Sequence, residues 1–506
     1  MKLLSLKYRD PNNRLKAYDF DFANGRELSG RKLEPLCFVG LNGSGKSKLI
    51  ELLAEIFFTL DANRKHEASA HKQRQCKSNF TLHYKLRPGR GFQVVRVEGK
   101  QGSEPVIYVD DATEALAPTE WDAVLPSNIV GYSSGHNETI SPLFLDLRQN
   151  DLGAALKQLE SGQAGDVEQT RTLFLDRDTT KLLLLTTYLF EGVKGLKNFP
   201  TRESSRALLQ RFREFIRLDR VLSFQLIIDT QKDHIKLSRR MADTLSKLQR
   251  CALMTDTARA KNERRYVLDF FVNDIAREAL VKSFETPQAF FSALYELNSL
   301  NLLNKGAKAG TEVFSIPDAE LKVVLNSPQA EATYQSLSDG EHQFIQIFGA
   351  AVLFGRDDSL FLLDEPESHF NPAWRAKFVF LLDELLGEKQ KSAEFLISTH
   401  SPYLVSACKK SNVVKFVRDE HGISFDRLEE ETYGASFDVL LKALFDMRGL
   451  VAEIAKKDLQ AVVQSEASAE SRIERLETEF GDSYEKRLLI NMLRKGLLDV
   501  VPGSAG

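Results

Sequence analysis

Cysteine, tryptophan and methionine are scarce in this chain of 506 residues, with four, two and five residues respectively. The cysteines, Cys37, Cys76, Cys251 and Cys408, are far apart in the sequence and form no CxxC pair. This spacing argues against a zinc site and against a disulfide framework. We therefore expect all four to be ordinary core or surface residues.

Long apolar runs and an excess of positive charge are also missing. No stretch approaches the roughly 20 apolar residues that a membrane helix needs, and charges interrupt the apolar run of MKLLSLKYRD. We therefore expect a cytoplasmic protein without membrane contact. The net charge is −3, so any nucleic-acid contact must come from a local basic patch.

The first pattern that carries chemistry is a glycine-rich turn. Residues 40–47 read GLNGSGKS and match GxxxxGK[ST], between a predicted strand, LCFVG, and a predicted helix, KSKLIELLAEIFFTL. Backbone N–H groups of such a turn wrap phosphates. Lys46 is expected to contact the β- and γ-phosphates of ATP, and Ser47 to offer its hydroxyl to Mg²⁺. The expected nucleotide-binding residues are Gly40, Asn42, Gly43, Ser44, Gly45, Lys46, Ser47 and Lys48.

A second pattern is the apolar run SLFLLDEP at residues 359–366, which we interpret as a buried strand ending in two carboxylates. The carboxyl edge of a parallel sheet is where α/β proteins bind ligands. Asp364 is the expected magnesium partner, and Glu365 the expected general base that polarises the attacking water.

Three further segments lie near the SLFLLDEP run. LSDGEHQ at 337–343 precedes it, and SHFNP at 368–372 and ISTHSP at 397–402 follow it. With the two patterns above, they make the chain resemble the ABC-type ATPases of the SMC, RecF and OLD group, over roughly residues 1–60 and 337–417. The resemblance implies a signature motif, a D-loop and a switch-histidine loop. It departs from the family at Asp339, where many members have glycine.

The resemblance also implies how the site works. The signature serine, Ser338, caps a helix N-terminus and so presents an anion site, together with Gly340 and Glu341, to the nucleotide of another subunit. Two chains would then enclose two ATP molecules head to tail. His400 would contact the γ-phosphate and orient the water, which completes a catalytic set of Lys46, Glu365 and His400.

Two assignments stay open. Asn137 or Glu138 stands where the Q-loop glutamine of this family usually lies, but an ordinary loop fits that segment equally well. An aromatic residue near the adenine, Tyr18 or Phe20, is not assigned to the site.

The predicted fold is α/β: a P-loop NTPase with an ABC-type ATPase core, split by a mainly helical insertion lobe and followed by a helical C-terminal tail. The predicted boundaries are 1–141 and 312–428 for the two parts of the core, 142–311 for the lobe and 429–506 for the tail. One strand-like segment, VLSFQLIIDT, interrupts the lobe. No long heptad pattern is present, so the lobe is expected to be compact.

Basic residues are concentrated in the predicted lobe, where they offer a surface for phosphate backbones of DNA or of retron msDNA. They alternate with acids such as Glu203, Glu214 and Asp219, so a solvated helix face is the alternative. The basic residues are Arg206, Arg211, Arg213, Arg217, Arg220, Arg239, Arg240, Lys247, Arg250, Arg259, Lys261, Arg264 and Arg265.

The missing segments narrow the function. Without a long coiled coil or a CxxC hook, a chromosome-organising or break-repair ATPase is disfavoured. The region from Cys408 onward has no Toprim-like acidic motif. An HNH nuclease needs clustered histidines, and His421 is the one histidine of this region, so no intrinsic nuclease is expected. DEPESHFNP and the large insertion disfavour a transporter ATPase.

The segments VGLNGSGKS, GYSSGHNE, LSDGEHQ, LLDEPESHFNP and TYGAS resemble the standalone ATPases of bacterial defence, both the restriction-system-associated ATPases and the PtuA type of Septu and certain retron systems. This resemblance implies ATP hydrolysis to ADP and phosphate, a homodimer or higher oligomer of ATPase dimers, and a separate HNH nuclease partner of the PtuB type. The alternative is a RecF-like DNA-binding ATPase of DNA repair without a nuclease partner.

Overall fold

The computed structural model describes most of the chain. The described residues are 1–9, 18–26, 33–66, 74–87, 92–134, 140–160, 171–190, 216, 218–230, 235–260, 263–304, 312–317, 322–325, 331–355, 358–386, 393–419, 422–445 and 451–498. They divide into two compact units, residues 1–434 and residues 435–506.

The strands of these residues all lie in the first unit. They are β1 (Lys2–Arg9), β2 (Tyr18–Asp21), β3 (Leu36–Val39), β4 (Asn79–Leu86), β5 (Gln93–Gly99), β6 (Val106–Val109), β7 (Ile129–Ser133), β8 (Thr172–Phe174), β9 (Leu218–Asp229), β10 (Met254–Ala260), β11 (Glu263–Phe271), β12 (Phe314–Ser315), β13 (Lys322–Leu325), β14 (Glu331–Thr333), β15 (Leu360–Asp364), β16 (Glu394–Ser398), β17 (Val413–Asp419) and β18 (Gly422–Arg427).

The helices occur in both units. Those of the first unit are α1 (Lys46–His66), α2 (Ser141–Glu160), α3 (Arg177–Leu189), α4 (Arg239–Cys251), α5 (Asp274–Phe284), α6 (Pro287–Ser299), α7 (Asp339–Phe354), α8 (Pro372–Leu386) and α9 (Pro402–Ser406). Those of the second unit are α10 (Phe437–Phe445), α11 (Glu453–Gln464), α12 (Ala469–Glu479) and α13 (Tyr484–Arg494).

The central sheet has the order β18-β17-β3-β16-β15-β7-β8, in which all neighbours are parallel except the β17–β18 hairpin. Every residue of β3, β15 and β16 is buried, which explains the apolar runs LCFV, LFLL and FLI within these strands. Because β3, β16 and β15 are adjacent and parallel, the segments that follow them meet at one edge of the sheet.

A second, antiparallel sheet has the order β2-β1-β4-β5-β6. Its alternating residues, among them Leu82, Tyr84 and Val97, are buried in one core with Phe57 and Phe58 of α1. Helix α1 therefore has apolar residues on several faces, and its N-terminus is fixed at the end of β3.

The described part of the insertion lobe is mainly helical, as predicted, but it also contains a sheet that the sequence analysis did not predict. Between α3 and α7 the described residues contain an antiparallel sheet of order β10-β11-β9-β13-β14, with β12 also paired to β9. Nearly all of the strand-like segment 221–230 lies in β9, which ends at Asp229, but β9 begins at Leu218, within a stretch predicted to be helical. The lobe thus combines helices α2 to α6 with a sheet, where the sequence analysis had predicted helices and a single strand-like segment.

The predicted α/β architecture and the helical C-terminal region are confirmed. The second unit packs α11, α12 and α13 around a small core of Leu459, Val462, Leu476, Ile490 and Leu493. The predicted boundary after residue 428 and the division after residue 434 differ by a few residues. All the predicted domain boundaries stay predictions.

All four cysteines are buried free thiols. Although Cys37 of β3 and Cys408 are far apart in sequence, their Sγ atoms lie 3.3 Å apart. Among the described helices, none is both long and apolar enough to cross a membrane.

Candidate functional site

The glycine-rich turn after β3 is held in a conformation that only glycine adopts without strain. Gly40 has a φ of +142° and Gly45 a φ of +105°. A Cβ on Gly40 would lie 2.4 Å from the carbonyl oxygen of Phe416, and one on Gly45 would lie 2.4 Å from Cδ1 of Ile423. The β17–β18 hairpin is therefore the wall against which the turn packs.

Lys46 lies folded back over this turn. Its Nζ donates to the carbonyl oxygens of Gly40, at 3.0 Å, and Leu41, at 3.1 Å. Burial lowers the pKa of Lys46 to about 8, against the opposing effect of Glu365 and Asp364. The ammonium group of Lys46 thus donates to two neutral carbonyl oxygens. Phosphate oxygens, which are charged, would accept stronger hydrogen bonds from it.

The hydroxyl of Ser44 fits an anionic ligand in the same turn. It is buried and has no hydrogen-bond partner among the described residues. A buried unpaired hydroxyl costs free energy unless a ligand satisfies it. Asn42 and Lys48 are exposed, and Lys48 donates to Glu51 at 2.7 Å.

The Asp364 carboxylate joins the turn to the sheet. Ser47 Oγ donates to Asp364 Oδ1 at 3.0 Å, and the Ser398 hydroxyl of β16 donates to the same oxygen. Burial raises the pKa of Asp364, against these two hydrogen bonds. An aspartate and a serine hydroxyl are the oxygen ligands that Mg²⁺ takes in P-loop proteins, so the pair fits this ion. Sequence reasoning missed Ser398.

Glu365 and His400 face each other beside this pair. Glu365 has a φ of +49°, a left-handed conformation that is uncommon outside glycine and concentrates at functional sites. Its backbone N–H donates to the carbonyl oxygen of Ser398 at 3.1 Å, and its Oε1 lies 3.5 Å from His400 Nε2. Burial, with the charge of Lys46, lowers the pKa of His400 to about 4. The imidazole is therefore neutral at pH 7, and its contact with Glu365 is not an ion pair.

A buried glutamate two residues further on supports the switch loop. The Thr399 hydroxyl donates to Glu367 Oε1 and also accepts from the backbone N–H of Ser401, at 2.9 Å. Burial raises the pKa of Glu367 to about 7. The sequence analysis assigned no role to Glu367, although the DEPES segment placed an acid at this point.

The signature segment forms the N-terminus of α7. Ser338 is the N-cap, its side chain accepts from the N–H of Glu341, and Glu341 Oε2 accepts from the N–H of Ser338 at 2.7 Å. The Glu341 carboxylate is thus engaged within its own helix. Ser338 and Asp339 are exposed, and among the described residues no hydrogen bond joins this segment to residues 40–48 of the same chain.

Other predicted residues fall elsewhere. Asn137 and Glu138 lie outside the described residues, as does the side chain of Tyr18. Phe20 is buried, with its ring centroid 3.9 Å from that of Phe425, so it is a core residue. Sequence reasoning also missed Arg418 of β17, which donates to the carbonyl oxygen of Gly43 at 3.0 Å.

Part of the basic set of the lobe is paired with acids. Arg240 contacts Glu296 at 3.2 Å, Lys247 contacts Asp243 at 2.9 Å, and Arg265 lies 3.8 Å from Asp229. Outside the described residues lie Arg206, Arg211, Arg213, Arg217 and Lys261, together with the side chain of Arg259. The described part of the lobe is thus of mixed charge.

A protein-family model described as "AAA domain, putative AbiEii toxin, Type IV TA system" matches residues 217–406. This range begins in the lobe and includes the signature segment, Asp364, Glu365 and His400. It leaves out the glycine-rich turn.

Two curated relatives match parts of the chain. The Septu protein PtuA of Bacillus thuringiensis is 25% identical over 226 residues, which are 39% of this chain and 56% of that protein. Protein ea59 of Escherichia phage lambda is 35% identical over 89 residues, 18% of this chain and 17% of that protein. The chain thus matches about half the length of PtuA and less of ea59.

Two solved structures are similar over a large share of the chain. An SMC head bound to the C-terminal winged-helix domain of ScpA is 12% identical, with a TM-score of 0.33, and covers 85% of this chain and 98% of its own. The SMC head domain from Thermotoga maritima is 10% identical, also with a TM-score of 0.33, and covers 85% and 100%.

The family match and the PtuA match agree with the resemblance drawn from the motifs. The chain is thus similar to an AAA-domain family over residues 217–406 and to the Septu protein PtuA, with which it shares about a quarter of the aligned residues.

Proposed function

We propose that the chain binds ATP and Mg²⁺ at residues 40–48, Asp364 and Glu365, hydrolyses ATP when two copies meet head to tail, and controls a separately encoded nuclease in phage defence. The observation that carries the catalytic part is the convergence of Lys46, Ser47, Asp364, Glu365 and His400 at one edge of the central sheet.

Binding begins with the exchange of partners around Lys46. The phosphate oxygens of ATP take over from the carbonyl oxygens of Gly40 and Leu41, and the Ser44 hydroxyl gains an acceptor. Ser47 and Asp364 would hold Mg²⁺, which would neutralise part of the phosphate charge. Lys46 then becomes harder to deprotonate, because its phosphate partners favour the charged form.

Glu365 supplies the base for the chemical step. Its carboxylate accepts a proton from the attacking water as the bond to the γ-phosphorus forms and the bond to ADP breaks. The imidazole of His400, whose Nε2 lies 3.5 Å from Glu365 Oε1, orients the water or the phosphate through a hydrogen bond. The half-exposed position of Glu365 leaves room for the water on the same side as His400.

The head-to-tail arrangement is supported by the exposed signature segment. Ser338 stands at the N-terminus of a 16-residue helix, where N–H groups and the helix dipole attract an anion. It has no hydrogen bond to residues 40–48 of its own chain among the described residues, so the phosphate it meets is best supplied by a second copy. A two-fold dimer would complete two such sites at once.

The catalytic assignment is tested with Glu365→Gln. This variant should bind ATP and Mg²⁺ as the wild type does, accumulate dimers in gel filtration, and lose about two or more orders of magnitude in turnover. Lys46→Ala should lose ATP binding. Glu114→Gln, an exposed glutamate after β6, is the matched control and should be unaffected. Wild-type turnover by Glu365→Gln would show that another group is the base.

The partner assignment is tested by affinity purification of the tagged protein from its native cells with ATP and Mg²⁺ present. Recovery of a small nuclease, with or without a reverse transcriptase and its DNA, would support control of a nuclease. Recovery of DNA with ordinary repair proteins would contradict it and favour a RecF-like role.

A further inference from the structure

A buried amide joins three segments around the candidate site. Gln343, on α7, is only 2% exposed. Its Nε2 donates to the Tyr132 hydroxyl at 2.7 Å and to the Ser368 hydroxyl at 3.1 Å, and its Oε1 accepts from the backbone N–H of His369 at 3.0 Å. The signature helix, the D-loop (368–372) and the end of β7 therefore share one side chain.

The same helix touches the D-loop a second time. Gly340 lies three residues before Gln343, on the same face of α7. A Cβ on Gly340 would lie 2.9 Å from the carbonyl oxygen of His369. The peptide of His369 is thus held through its N–H by Gln343, and its carbonyl packs closely against Gly340.

The network has one well-defined arrangement. Both hydrogens and the oxygen of the Gln343 amide are used, and a buried polar network specifies a conformation best when every member is satisfied. Tyr132 lies opposite Leu363 in the register of β7 and β15, next to Asp364. Gln343 and Tyr132 thereby link the D-loop to β15, the strand that ends at Asp364.

We infer that Gln343 is a positioning residue that fixes the signature segment and the D-loop of one chain as a single unit, and that this unit completes the ATP site of the other copy. The inference rests on the proposed head-to-tail dimer. Among the described residues, Gln343 has no hydrogen bond to residues 40–48, to Asp364 or to Glu365 of its own chain. Its loss should therefore leave ATP binding by its own chain intact.

The first experiment separates binding from turnover. Gln343→Met keeps the volume and removes all three hydrogen bonds, so kcat should fall by about 10- to 100-fold with an unchanged Kd for ATP, since a misplacement of about 1 Å can cost roughly 100-fold in rate. Gln346→Met is the matched control on the same helix, since it removes only a hydrogen bond to the Asp176 carbonyl oxygen. It should change kcat by less than about twofold.

The second experiment asks on which copy Gln343 acts. In a mixture of Gln343→Met with Lys46→Ala, each mixed dimer has one site with an intact glycine-rich turn from the first chain and an intact signature unit from the second. Equal amounts should recover about a quarter of wild-type turnover, because about half of the dimers are mixed and each has one good site. If Gln343→Met instead disturbed the fold of its own chain, or the Asp364 and Glu365 carboxylates of that chain, the mixture would recover no turnover.

A mixture of Ser338→Arg with Lys46→Ala tests the head-to-tail dimer separately from the role of Gln343. If this mixture recovers turnover and the Gln343→Met mixture does not, the inference about Gln343 is wrong and the head-to-tail dimer stands. If neither recovers, the head-to-tail dimer fails and the inference fails with it. Should Gln343→Met not fold, Ser368→Ala removes the D-loop partner alone and must show the same pattern, with a smaller loss of kcat.

Discussion

Lys65 offers a sharp test of how the nucleotide helix is tied to the lobe. Its side chain is fully buried at the end of α1, with Nζ 2.8 Å from Asp151 Oδ2 on α2 and 3.1 Å from Asp61 Oδ2. Removing one partner of a buried ion pair typically costs about 3–5 kcal/mol, because the other charge stays in a medium of low dielectric. Lys65→Met should therefore destabilise the first unit by about that amount, with the Arg64 partner of Asp61 keeping it toward the lower end.

The double variant Lys65→Met/Asp151→Leu removes both charges and should be more stable than Lys65→Met. The coupling free energy should be about 2 kcal/mol, near the upper part of the range for residues in contact. Urea unfolding followed by the fluorescence of Trp121, which is buried in the same core as α1, measures it in a Trp374→Phe background. Lys48→Met, which removes an exposed pair on the same helix, should cost no more than about 1 kcal/mol.

The pH dependence gives a further check. Burial lowers the pKa of Lys65, but Asp61 and Asp151 outweigh it, so the net pKa is raised. Burial raises the pKa of Asp61, but Lys65 and Arg64 outweigh it, so that pKa is lowered. The contribution of Lys65 is lost only as the pH rises above its ordinary pKa of about 10.4, and that of Asp61 only as the pH falls below about 3.9. The difference between wild type and Lys65→Met should be constant from about pH 5 to 9, and a loss below 1 kcal/mol or strict additivity would refute this account.

Three other predictions concern the candidate site. With the pKa of Lys46 lowered to about 8, ATP affinity should fall about tenfold between pH 7 and pH 9, with proton uptake on binding at pH 9, both measured by calorimetry in buffers of different ionisation enthalpy. Gly45→Ala should abolish ATP binding in the same assay, and Gly45→Ala/Ile423→Ala should stay defective, because a φ of +105° strains alanine even without the clash. The NMR resonance of the His400 ring should titrate near pH 4, so a midpoint near 6.5 would contradict the buried, neutral imidazole.

The sequence motifs predicted the parts of the site whose residues are adjacent in the chain. Residues 40–47 and the DE pair were predictable because a strand, a glycine-rich turn and a helix are adjacent in sequence, and the chemistry of each follows from residue type. Ser398, Glu367 and Gln343 were not, since their roles come from pairing across β15 and β16 and from contacts across 20 or more residues. Such contacts leave no periodic signal.

The missed sheet of the lobe has a different cause. Strand β10 reads MTDTARA, and its described side chains, residues 254–257, are all exposed, so it lacks the alternation that marks a half-buried strand. Strand β11 does alternate, with Tyr266, Leu268 and Phe270 buried, and this signal could have been recognised. The charged residues that precede Leu218 favoured a helix where β9 begins.

The order of strands in the central sheet has a consequence for synthesis on the ribosome. Strand β3, which carries the glycine-rich turn, lies between β16 and β17, yet β3 ends at residue 39 and β16 begins at residue 394. At about 5–20 residues per second, the nascent chain holds β3 without either neighbour for on the order of 20 to 70 s. An apolar strand exposed for so long is a target for chaperones or premature association. Strands β1, β4 and β5 of the antiparallel sheet, which are synthesised by residue 99, can shelter it meanwhile together with α1.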